Sequence, residues 1–117
     1  MKQYKVVQLY KATEKLGAIE GFSPEEQWQI YTLRKSFRPH IEFQEERETA
    51  LVNKYTPYAD ENGSIKGEHY LHYIQEKNEL SNLDVDCEYQ KITLPLLKGI
   101  TFQDIEALED VIEFKTN

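Results

Sequence analysis

The chain has 117 residues, which fits a single domain spanning 1–117, and it carries a formal net charge of −7. Residues 1–56 have a net charge of +1 and residues 57–117 have −8, and the acidic second half argues against direct binding of nucleic acid. No run approaches the ~20 apolar residues of a membrane span, and the single cysteine excludes an intrachain disulfide. These features predict an intracellular protein without a membrane partner.

The N-terminal segment predicts a helix over about residues 9–20. Apolar residues recur there at helical spacing from Leu9 to Ile19, and Gly21 suits the end of such a helix. The residues just before it, 4–9, fit either a short strand or the beginning of the helix.

A longer helix is predicted to follow. Ser23, Pro24 and Glu26 form the pattern of an N-cap, a first-turn proline and a capping box. Helical spacing then continues to residue 55 across Pro39, although proline costs about 3 kcal/mol in a helix interior. We therefore expect either one long helix that is kinked near Pro39 or two helices that share a corner.

The second half predicts a returning helix and a small strand element. Residues 56–64 have loop composition, and residues 67–83 form an amphipathic segment long enough to return along the first helix, which makes an antiparallel helical hairpin. Apolar and polar residues alternate over 85–94, which is typical of a strand. A short helix begins near Thr101, and residues 111–114 fit its end or a closing strand. The predicted fold class is α+β, mainly α.

One metal site can be drawn on the returning helix. His69, His72 and Glu76 share one helical face, and His40, Cys87 or water would have to complete a tetrahedral zinc site. Such a trio arises often by chance, so ordinary surface residues are the favoured interpretation and no metal is predicted.

Other chemical motifs are weaker still. The stretch from Asp60 to Ile65 resembles the middle of a calcium-binding loop, but Tyr58 and His69 stand where its terminal carboxylate ligands belong. Turn formation explains this loop without calcium. Cys87 lies among acidic residues, which disfavour a reactive thiolate. Because no nucleotide or nucleophile motif is present, we predict that the protein is not an enzyme and has no cofactor.

Two sets of residues are candidates for a protein interface. Tyrosine and tryptophan are enriched at interfaces, and the chain has eight tyrosines and one tryptophan. Tyr55, Tyr58 and Tyr73 are equally compatible with a core and an interface. The second set is acidic and consists of Asp84, Asp86 and Glu88.

The order of several short segments carries a family resemblance over nearly the whole chain. These segments are residues 9–12 with Leu16, the Ser23-Pro24 helix start, and residues 51–55, 60–66 and 105–109. In this order the chain resembles a family of short phage and prophage proteins of Gram-positive bacteria that has no established activity. Pro39 departs from the family pattern. The resemblance implies the cytoplasm of a bacterial host as the location, with the virion as an alternative.

The sequence and the resemblance together lead to three functional hypotheses. The first is a non-catalytic phage or prophage accessory protein that binds another protein, including a second copy of itself, in particle assembly or structure. The second is an acidic inhibitor of a host nucleic-acid-binding or defence protein, which would use Asp84, Asp86 and Glu88. The third and least favoured is a metal-dependent enzyme.

Overall fold

The computed structural model describes residues 1–116 and confirms the mainly helical α+β class. Two 3₁₀ turns, Lys15–Ala18 and Thr56–Tyr58, directly follow the first two helices. The helices and strands are α1 (Gln3–Glu14), α2 (Pro24–Tyr55), α3 (Gly67–Ser81), β1 (Ile92–Pro95), α4 (Phe102–Leu108) and β2 (Ile112–Lys115). No helix in the described residues is long and apolar enough to cross a membrane.

Helix α2 runs without interruption through Pro39, so the alternative of two helices sharing a corner is wrong. Its N-terminus has the predicted capping box, in which Ser23 Oγ accepts the Glu26 N–H (3.1 Å) and Glu26 Oε1 accepts the Ser23 N–H (2.7 Å). Pro39 supplies no N–H for the Lys35 carbonyl. Both residues lie on the exposed side of the helix, where water can take the place of the missing donor.

Helix α1 begins six residues earlier than predicted, and the strand alternative for residues 4–9 is wrong. Gln3, Val6, Leu9, Thr13 and Leu16 are buried. Their spacing of three and four residues places them on one helical face, which packs against α2. The predicted start at Leu9 left Gln3 and Val6, two buried residues of this face, outside the helix.

The apolar core lies in one part of the molecule, which we call the base (residues 1–40 and 83–116). There α1, the first half of α2, α4 and the strands enclose a cluster of eleven buried apolar residues. They are Val6, Leu9, Leu16, Phe22, Ile30, Leu33, Phe37, Leu94, Leu108, Val111 and Ile112.

The sheet of the base has two parallel strands, with Ile92 beside Ile112 and Pro95 beside Lys115. The strand predicted over 85–94 is therefore mostly wrong, because only residues 92–95 pair with β2. The closing-strand alternative for the C-terminal segment is correct. The α4 helix between the strands has the predicted start at Thr101, whose Oγ1 accepts the Asp104 N–H at 3.2 Å.

The remaining residues, 41–82, form what we call the arm. It consists of the second half of α2, the following loop and α3, and it gives the molecule its elongated dimensions of 56 × 29 × 21 Å. Helix α2 runs from the base into the arm, and Gln3 of the base braces it there, because its Nε2 donates to Gln44 Oε1 of the arm (3.2 Å) as well as to the His40 carbonyl (2.8 Å). The predicted hairpin is thus present, but it projects from the core.

Candidate functional site

The residues predicted to form an interface fall into two separate places. Tyr55, Tyr58 and Tyr73 come together near the tip of the arm. Asp84, Asp86 and Glu88 lie on an extended segment of the base that leads from α3 toward β1. The two sets therefore offer two surfaces, which differ in structure and charge.

The tyrosines at the arm tip connect α2 to α3. Tyr55 is only 5 % exposed, and its ring meets the edge of the Tyr73 ring with centroids 5.5 Å apart. Tyr58 lies 6.4 Å from Tyr55 and stacks on the His69 ring at 3.8 Å. Tyr55 therefore belongs to the interior of the arm, whereas half of Tyr58 remains exposed.

Glu76 is held by two partners from α2. Its carboxylate accepts hydrogen bonds from Lys54 Nζ (2.5 Å) and from the Tyr55 hydroxyl (2.7 Å). The Lys54 ammonium, followed by the Tyr55 hydroxyl, lowers the pKa of Glu76. The same contacts raise the pKa values of Lys54 and Tyr55. This network fixes the distance between the two helices of the arm.

The candidate metal ligands are engaged in other contacts. The ring of His69 stacks on Tyr58, and His72 Nε2 faces Glu68 Oε1 at 4.0 Å. Within residues 1–116, no three His, Cys, Asp or Glu side chains are grouped as the ligands of a metal ion would be.

The loop that resembles a calcium site is organised by its own backbone. Asp60 Oδ1 accepts the N–H groups of Asn62 and Ser64, both at 2.9 Å. These backbone bonds lower the pKa of the Asp60 carboxyl. The carboxylate thus closes the turn between α2 and α3, as the turn interpretation of this loop predicts.

One side of α3, continued by its C-cap residue Asn82, carries apolar or uncharged side chains. We call it the α3 strip and define it as Tyr70, Leu71, Ile74, Asn78 and Asn82. Leu71 is 66 % exposed and Tyr70 47 % exposed, and none of the 15 residues of α3 is buried. Beside the strip, Val52 of α2 and Tyr70 line a groove of about 440 Å³. Glu79 lines a shallow groove together with Leu71, Ile74 and Asn78 of the strip.

The extended segment 84–91 has strand-like alternation, and only its first two residues pair with the N-terminus, through the Lys2–Asp84 bridge and the bond from the Val85 N–H to the Met1 carbonyl. Val85, Cys87 and Tyr89 are half-buried, whereas the acidic residues between them are exposed. Among residues 1–116, no backbone hydrogen bond pairs the N–H or C=O groups of 86–91. Burial raises the pKa of the Cys87 thiol, which is consistent with the predicted lack of thiolate reactivity.

A second groove, of about 530 Å³, runs between this segment and α2. Its walls include Trp28 and Leu33 on one side and Glu88, Tyr89 and Ile92 on the other. Trp28 is 65 % exposed and stacks obliquely on Tyr31 at 5.3 Å. Trp28 falls on the helical spacing of apolar residues along α2, which is typical of a core position, and sequence reasoning therefore missed this groove.

Comparison with family models, with curated proteins and with solved structures gives no match. Functional inference for this chain therefore depends on its own surfaces. Two surfaces combine exposed apolar side chains with a regular backbone. They are the α3 strip and the groove beside Trp28, which we call the Trp28 groove.

Proposed function

We propose that this protein is a non-catalytic accessory protein that acts through protein–protein contacts and assembles with a second copy of itself through the α3 strip. The observation that carries the proposal is that α3 is 15 residues long and has no buried residue. Its apolar side chains Leu71 and Tyr70 remain in solvent.

The energetics of α3 favour a further partner. An isolated helix shorter than about 15 residues is marginal in water, and helices in proteins gain most of their stability from packing. Contact with α2 uses Tyr73 and Glu76, whereas Leu71 and Asn78 of the strip remain exposed. Full burial of a leucine or isoleucine side chain contributes about 1.5–3 kcal/mol. A second arm would supply this burial for Leu71 and Ile74.

The charge distribution favours a second copy as that partner. Two molecules that each carry a net charge of −7 repel one another, and this repulsion is weakest where the contact surfaces carry no like charges. The five residues of the strip are uncharged. A two-fold axis through Ile74 would place Tyr70 of one copy opposite Asn78 of the other, because a two-fold interface uses the same surface twice.

The family resemblance gives this assembly a setting. A phage or prophage protein that dimerises through a projecting arm fits a role in particle assembly or structure, and the base would remain free for other contacts. The host cytoplasm and the virion are the two locations that the resemblance implies.

The decisive experiment is light scattering coupled to size-exclusion chromatography at 50 and 500 mM salt. We expect a dimer that persists or strengthens at high salt, because salt screens the repulsion and leaves apolar contacts intact. Ile74→Glu should convert it to a monomer. His72→Glu adds the same charge on the other side of α3 and should leave the dimer in place.

Two results would contradict the proposal. One is a monomer at both salt concentrations and at all protein concentrations up to the millimolar range. The other is a dimer that Ile74→Glu leaves unchanged, since the contact would then lie elsewhere. Far-UV circular dichroism of each variant would verify that the fold is retained.

A further inference from the structure

We propose that the segment 86–91 and the Trp28 groove bind an extended peptide segment of another protein, in which basic and apolar residues alternate. The peptide would pair with the segment as an added strand and would place an apolar side chain in the groove. This site lies on the base and is independent of the α3 strip.

The backbone of the segment provides the first argument. Residues 86–90 alternate between exposed and half-buried positions, Lys91 is exposed, and none of these six residues is fully buried. Their N–H and C=O groups have no backbone partner in the described part of the chain. A row of unpaired groups at a strand edge is a template for another strand.

The direction of the β1 hydrogen bonds indicates which edge is free. The N–H groups of Ile92 and Leu96 donate to Val111 and Lys115 on the β2 side. Since successive residues of a strand point alternately to the two edges, the Thr93 N–H faces the opposite edge. Pro95 has no N–H and ends that edge, as prolines do on exposed strands.

The groove lies at this free edge. Ile92, Tyr89 and Glu88 line it, and no residue of β2 does. Its volume of about 530 Å³ is sufficient for apolar side chains from a strand, and the exposed Trp28 ring provides a wall on which they can pack. A strand added at this edge would therefore form backbone hydrogen bonds with the segment 86–91 and at the same time cover the Trp28 ring.

The negative charge of the segment 86–91 favours a peptide with basic residues. Asp86 and Glu88 alternate on the exposed face, and within residues 1–116 neither makes an ion pair. Asp84 precedes them and contacts Lys2 at 3.2 Å. Oppositely charged residues on adjacent strands stabilise their pairing. Lysine or arginine at alternate positions of the peptide would therefore face Asp86 and Glu88.

The single tryptophan makes the test direct, because Trp28 lies in the groove. A capped heptapeptide of alternating lysine and valine is titrated into the protein while tryptophan emission is recorded. We expect a saturating blue shift that weakens with salt. A glutamate–valine peptide should not produce it, and neither should a lysine–valine peptide that is N-methylated at alternate residues.

Variants of the protein locate the site. Asp86→Asn and Glu88→Gln should each weaken peptide binding about two- to fivefold, whereas Glu61→Gln and Glu68→Gln, which neutralise carboxylates of the arm, should not. Thr32 of α2 also lines the groove. Thr32→Arg fills the groove, retains the tryptophan probe and should abolish the shift. Absence of a blue shift, equal binding of the glutamate peptide, or equal binding of the N-methylated peptide would each overturn the proposal.

Discussion

The base and the arm are built from the same long helix but are stabilised in different ways. All eleven residues of the buried apolar cluster belong to the base. In the arm Tyr55 is the only buried residue among those described, and it packs against Tyr73 and donates to Glu76. The base therefore has its own core, whereas the arm depends on a small polar and aromatic network.

This difference separates the folding unit from the surface offered to partners. A helix pair with little buried apolar area gives local stability at the low end of the range found in proteins. The first half of α2 is fixed in the base by Leu33 and Phe37, and this anchoring extends the helix into the arm. A partner on the α3 strip would supply the burial that the arm lacks.

The largest effect on stability is expected in the base. Phe37 is fully buried, and truncation of a buried phenylalanine costs about 3–5 kcal/mol. Phe37→Ala should therefore lower the free energy of unfolding by that amount, measured by urea denaturation monitored at 222 nm. Val52→Ala in the arm, at a residue that is 52 % exposed, should cost less than about 0.5 kcal/mol. Similar losses for both variants would contradict the division into base and arm.

A smaller effect is expected at the beginning of α2. Ser23→Ala removes the acceptor for the Glu26 N–H and should cost about 1 kcal/mol. Ser64→Ala in the arm loop is the matched control, because the Asp60 carboxylate contacts the backbone N–H of Ser64 and this contact survives the substitution. If Ser23→Ala left the free energy of unfolding unchanged, the capping box would contribute nothing to the stability of the protein.

Much of the base could be predicted from local sequence signals. The capping boxes at Ser23 and Thr101 are short-range patterns, and both are present in the structure. The limits of α1 and β1 were harder to predict, because each depends on a distant partner. Gln3 is buried against α2, and the length of β1 is set by the four residues of β2.

The candidate surfaces were only partly accessible to sequence reasoning. Spacing placed His69, His72 and Glu76 on one helical face, but it could not show that Lys54 and Tyr55 bind Glu76. Trp28 has the spacing of a core residue, yet the groove beside it exists only because the segment 84–91 crosses α2 there. Both the partners of Glu76 and the groove beside Trp28 arise from contacts between distant parts of the chain, which a local sequence pattern does not contain.

A local effect is expected when the network of the arm is weakened. Glu76→Gln removes the charge that Lys54 contacts and weakens the bond from Tyr55. Amide hydrogen exchange in α3 should become faster, while exchange in α1 and α4 stays unchanged, because the network lies outside the core. Glu79→Gln, one turn further along α3, is the control. Equal acceleration in the base would show that arm and base unfold as one unit.

The smallest effect is the response to acid, and its sign follows from the lowered pKa values of Glu76 and Asp60. A carboxyl whose pKa is lower in the folded state stabilises that state fully above its unfolded pKa, near 4, and loses this contribution as the pH falls through the folded value. Asp104 in the base, paired with Lys15, behaves in the same way, but there the apolar core remains. Between pH 5 and 3, the amide protection factors, which compare each exchange rate with the intrinsic rate at the same pH, should therefore fall in α3 before they fall in α1. Glu76→Gln should reduce the pH dependence of the protection factors in α3 alone.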